Sequence, residues 1–202
     1  MHSVAVRRTA AAILAVTCAF STLSCASDEA GPVIAVGADS SAESVLLAEI
    51  YSQALDRVGV DSTVVTGLTT PLADLDAARI AVLPARNGAL LDRWNPTSPA
   101  RKPGEVAAAV NAALPPGLSV TDAAEGTDLR PRDALPDPDY TLRAQNILAL
   151  YRTGIFDRQQ LKKLNYVAGE LTTEDLIESI NKIETGTHPA DAARSWLDAH
   201  GL

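Results

Sequence analysis

Reactive side chains are scarce in this chain. It has two cysteines among 202 residues. Cys18 lies inside an apolar N-terminal run and Cys25 follows it, so the folding segment has neither a disulfide framework nor a thiolate site. Of three histidines, only His188, before a proline, and His200, near the chain end, lie beyond that run. Both positions suit helix ends, and no spacing of His, Cys, Asp and Glu resembles a metal site. Phosphate-loop glycines and a nucleophile-elbow serine are missing too. The carboxylate pairs Glu174 and Asp175, and Asp74 and Asp76, fall at helix starts and solvated faces. These absences predict a protein that is not an enzyme and needs no cofactor. Aromatic residues are 4% of the chain, which leaves few rings for a ligand cage. Positive charge is also short: 17 Lys and Arg against 25 Asp and Glu give a formal net charge of -8. With no basic cluster to track phosphates, nucleic-acid binding is excluded.

The one long apolar run, Thr9 to Phe20, is too short to span a bilayer and follows Arg7 and Arg8, so residues 1–24 read as an export signal. Leu23-Ser24-Cys25 resembles a lipoprotein signal. That resemblance implies that Cys25 is diacylated and becomes the mature N-terminus, with residues 25–32 as a polar tether. The expected location is the extracytoplasmic face of the cell membrane. Residues 33–202 are then the folded unit, enough for one domain and few for two.

Within that unit, Val33 to Val58 is the most informative stretch: an apolar strand, a small-residue turn and an amphipathic helix. Ser40 is the expected N-cap, with Glu43 three residues on as its capping-box partner. Unpaired N–H groups gather there at the carboxyl end of a strand, where open α/β sheets bind small molecules. The turn Gly37, Ala38, Asp39, Ser40 and Ser41 is therefore a candidate ligand site. Leu47, Ile50, Tyr51, Ala54, Leu55 and Val58 mark the buried helix face, and Gly59 ends it.

Further strands are expected at Ser62 to Thr66, Ile80 to Leu83, Leu118 to Thr121 and Ile147 to Tyr151, with a partly helical connection from Thr69 to Arg79. Trp94 to Gly104 holds three prolines and reads as an exposed connection, as does Asp122 to Asp139. Helices are expected at Glu105 to Leu114, Asp157 to Asn165 capped by Asp157, Thr173 to Ile183 capped by Thr172, and Ala190 to His200 opened by Pro189. The pattern predicts an α/β fold with helices on both faces of a βαβ-rich sheet. Tyr51, Phe156, Tyr166 and Trp196 sit at helix-face positions and are expected in the core, while Tyr151 and Trp94 are the rings placed to face a ligand.

LNYVAGELTTEDLIESINKI and HPADAARSWLDAHGL resemble the closing helices of the substrate-binding proteins of ABC importers for glycine betaine, choline, carnitine and proline betaine. The opening VGADSSAESVLLAEIYSQALDRVGV is similar to that family's first strand and helix. LPARNGALL, ALPPGLSV and AQNILALYRTGIFD match further segments. The resemblance implies one three-layer α/β/α lobe of the type II periplasmic-binding-protein fold, with the C-terminal helices packing on the sheet. It implies a small zwitterionic or quaternary-amine solute, and an ABC permease as partner. The family's second lobe is missing, and the proline-rich residues 121–140 stand in its place. Positions matching the family's ligand site depart from it. Arg86 stands for a cage tyrosine, Asp39 for a frequent lysine and Gln145 for a tyrosine. The tentative site is then Gly37 to Ser41 with Arg86, Asn87 and Tyr151, and an anionic or zwitterionic ligand without a quaternary ammonium suits it better. The alternative is a lipid-anchored interaction module that docks on a permease or partner binding protein through the face the second lobe leaves open.

Overall fold

The computed structural model describes residues 32–125 and 142–202. The expected export signal, the lipidation candidate Cys25 and most of the proline-rich connection lie outside the described residues.

The chain runs β1 (Ile34–Gly37), α1 (Ala42–Asp56), β2 (Ser62–Val65), α2 (Pro71–Asp76), β3 (Val82–Arg86), α3 (Asn87–Trp94), α4 (Pro103–Ala113), β4 (Leu118–Val120), β5 (Ile147–Arg152), α5 (Arg158–Glu170), α6 (Thr173–Glu184) and α7 (Pro189–Ala199). The five strands form one sheet in the order β2-β1-β3-β5-β4. β1 runs parallel to β2 and β3, whereas β5 runs antiparallel to both β3 and β4.

β3 starts two residues later than the sequence suggests and continues through Pro84 to Arg86. Its ladder explains how a proline fits. The Asn87 N–H donates to the Asn146 carbonyl at 2.9 Å. Alternation along an antiparallel pair then gives the odd positions of β3 to β5 and turns the Pro84 nitrogen the other way. On that side β1 is in register only at Val36 with Val82, so no ladder bond is lost.

Both faces of the sheet are buried, each under its own apolar layer. Val36, Val82, Ile147, Ala149 and Tyr151 join the core that holds α1, α5, α6 and α7. Leu83, Leu148 and Leu150 join the core holding Leu75 of α2, Leu90 and Leu91 of α3, and Val106 and Val110 of α4. β5 serves both layers by strict alternation, the reading of a strand covered on both sides. This is the expected three-layer α/β/α arrangement. Of the C-terminal helices, α5 touches β5, and all three pack on α1.

Several expectations are corrected. The sequence predicts no helix at α3, because Asn87-Gly88 looks like a turn and eight residues carry little periodicity. The Trp94 to Gly104 connection is not wholly exposed: Ser98 and Ala100 are buried, and Arg143 Nη2 and Arg101 Nη1 both donate to the Ser98 carbonyl at 3.0 Å. In the second connection, Ala124 is buried and bridges to Ile147. α5 extends past Asn165 to Glu170, and Tyr166 on it is 51% exposed rather than core. Phe156 precedes α5 and packs on Tyr151, ring centroids 5.4 Å apart. Tyr51 and Trp196 are buried as expected. Burial pushes the Tyr51 phenol well above its ordinary pKa.

Candidate functional site

Two crossovers leave β1 and β2 on opposite faces. α1 packs in one core and α2 in the other, so the strand order reverses between β1 and β3. Connections that part to opposite faces leave a crevice at the carboxyl ends of the strands. A concavity of about 280 Å³ lies there. One wall is the β1–α1 turn and first helical turn, with Asp39, Ser41, Glu43, Ser44 and Leu47; the other is Pro84, Ala85, Arg86 and Ala89, with Ile147 beside it.

The turn is held by its own polar groups. The N-cap is Ser41, one residue beyond the expected Ser40, and its hydroxyl accepts from the Ser44 N–H at 3.2 Å. Asp39 explains the shift, because its Oδ1 accepts from the Ser41 N–H at 2.7 Å while its own N–H donates to Ser44 Oγ at 3.0 Å. These bonds close an Asx turn ahead of the helix. They also release Glu43 from the capping-box role: its Oε1 accepts from Arg86 Nη2, in an ion pair whose side chains are 27% and 24% exposed. Arg86 Nη1 donates to the Gln145 carbonyl at 2.9 Å. The guanidinium thus ties β3 to both α1 and the approach to β5.

Of the residues expected at the site, the structure brings together Asp39, Ser41 and Arg86. Gly37 is buried on the far face, where a Cβ would run into the side chains of Ile80 and Leu68; its role is close packing. Ala38 is also buried, its N–H donating to Val65 and its carbonyl accepting from Leu68, so it has no donor for a ligand. Ser40 is exposed outside the lining. Asn87 is fully buried, and neither its side-chain nitrogen nor its oxygen has a hydrogen-bond partner. Tyr151 lies at the other end of β5, opposite Val82 and Ser119, and an antiparallel return carries it away from the crevice. Trp94 packs against the second core. Glu43, Ser44, Leu47, Pro84, Ala85, Ala89 and Ile147 line the crevice without being among the candidates the sequence offers. The helical phase of Glu43 and Leu47 on α1 could have pointed to one wall, but nothing in the sequence announces which side of β3 meets it.

His188 caps α7, accepting from the Ala190 N–H at 3.3 Å. His200 stacks on Trp196 at 4.6 Å between ring centroids and faces Glu170 and Asp175 at 3.5 and 3.8 Å. Among the described residues no group of His, Cys, Asp and Glu could hold a metal ion, and no helix is long and apolar enough to cross a membrane.

No protein-family model and no curated protein matches the chain. Solved structures do. Apo YehZ from Escherichia coli superposes with a TM-score of 0.73 at 13% identity, over 84% of this chain and 99% of that one. A glycine betaine/carnitine/choline ABC transporter structure gives 0.71 at 14%, over 83% and 98%. At these identities the likeness is one of fold, and the chain has the α/β fold of those two structures.

Proposed function

We propose that this chain is an extracytoplasmic, lipid-anchored solute-binding protein that serves an ABC importer, with its solute seated in the crevice between the β1–α1 turn and β3. The observation that carries the reading is the place of the concavity, at the reversal of strand order in an open α/β sheet, where such sheets bind ligands. Its fold is shared with an ABC transporter structure for glycine betaine, carnitine and choline. The apolar run, Leu23-Ser24-Cys25 and the following polar residues support export and anchoring. At about 280 Å³ the crevice lies just below the roughly 300–1,000 Å³ of sites for drug-sized ligands, which suits a small solute.

Thermal-shift screening of the full chain against small solutes, followed by calorimetry, tests the binding role. A saturable solute whose affinity drops at least about tenfold in Arg86→Gln, a loss of one charge-assisted contact, supports it. Saturable binding untouched by Arg86→Gln places the site elsewhere. Detergent-phase partitioning of wild type against Cys25→Ala tests the anchor, which is refuted if both partition alike.

A further inference from the structure

The lining of the crevice also limits the chemistry of its ligand, an inference that rests on the solute-binding reading above. A quaternary ammonium has no hydrogen to donate and is held by aromatic faces. Among the described residues, none that lines the crevice is aromatic. Three of the described rings are engaged in packing away from the crevice: Tyr51 is fully buried in the α1 core, Tyr151 lies against Phe156, and Trp94 packs on the opposite layer. What the crevice offers instead is two carboxylates and a guanidinium. Asp39 and Glu43 stand on the α1 wall together with Ser41 and Ser44, and Arg86 stands on the β3 wall.

A carboxylate can accept about four hydrogen bonds over its two oxygens. Asp39 gives Oδ1 to the Ser41 N–H, and Glu43 gives Oε1 to Arg86. Each therefore has capacity for a further donor. The Glu43–Arg86 pair sets opposite charges side by side across the crevice. We propose that the crevice takes a small zwitterion whose ammonium carries N–H groups, an amino acid or close analogue, and discriminates against the permethylated betaine of the same skeleton. Arg86 receives the carboxylate; Asp39 and Glu43 accept from the ammonium. Each end then makes charge-assisted hydrogen bonds. Methylation of the nitrogen removes the donors and leaves both carboxylates desolvated against methyl groups.

Calorimetry of the full chain with matched ligands tests this: glycine, sarcosine, dimethylglycine and glycine betaine, and proline beside proline betaine. The expected order falls with each lost N–H, and each betaine binds at least about tenfold more weakly than its parent. Asp39→Asn, on the exposed turn, narrows that gap, and so does Glu43→Gln. A betaine that binds as tightly as its N–H parent overturns the inference, as does a gap unchanged in both variants. If choline or a neutral sugar binds while no zwitterion does, the inference fails and solute binding stands. Absence of binding by every zwitterionic, cationic and neutral solute overturns both.

Discussion

Arg86 and Asn87 are adjacent in sequence, and burial separates their fates. The guanidinium reaches the rim of the crevice and finds Glu43 and the Gln145 carbonyl, whereas the Asn87 amide is fully buried with neither polar atom partnered. A buried unpaired amide costs about 1–3 kcal/mol of desolvation, and an apolar group of the same shape avoids it. Asn87→Leu is therefore expected to leave the thermal midpoint unchanged or higher; a drop of several degrees would show that the amide has a partner in solution. The next residue has the opposite tolerance. A Cβ on Gly88 would collide with the Ala144 carbonyl oxygen and the Gln145 amide, and a backbone oxygen cannot swing aside. Gly88→Ala should lower stability by about 1–3 kcal/mol, read as a lower urea midpoint at unchanged slope.

Among the elements, the C-terminal helices were the most legible, because their caps are local chemistry. Asp157 and Gln160 exchange side-chain and backbone bonds at 2.8 and 2.9 Å, the reciprocal box the sequence spells out. Asp157→Ala should cost about 1 kcal/mol, measured by chemical denaturation. Thr172 caps α6, its hydroxyl accepting from the Asp175 N–H at 3.2 Å and donating to Asp175 Oδ2 at 2.6 Å. Burial alone would push the Asp175 carboxyl up, but the bond from Thr172 and the charge of His200 together hold it below the ordinary value. Since the folded pKa is depressed, the contribution to stability is full above the unfolded value, about 3.9, and fades as pH falls through the folded one. Thr172→Ala should move the Asp175 carboxyl-carbon NMR titration upward; an unmoved titration would remove the hydroxyl from the account. By contrast, the sequence places the cap of α1 one residue early, at Ser40 instead of Ser41. Ser40 and Ser41 offer the same hydroxyl, and only the Asp39 carboxylate bound to the Ser41 N–H selects between them.

At the scale of the whole molecule, two apolar layers share one sheet, and β5 alternates between them. Loss of either layer bares one face of the same strands, so both should unfold together. The two tryptophans report on opposite layers, Trp196 in the α1 core and Trp94 against the second. Fluorescence of Trp94→Phe and Trp196→Phe in urea should each follow the circular-dichroism transition of the same variant. Separate midpoints for the two probes in one variant would show that the layers are independent units.

The sequence by itself determined the α/β class, the caps of the C-terminal helices, the buried periods of α1 and β5, and the scarcity of catalytic and aromatic groups. All of these are local or compositional, set by side-chain spacing and hydrogen bonds between near neighbours. Only the tertiary structure decided which candidates share a site. The antiparallel return of β5 put Ile147 at the crevice and carried Tyr151 away from it. The reversal of strand order set Glu43 against Arg86, 43 positions apart. Register and crossover side depend on how two apolar faces are covered at once, and no single segment records that choice.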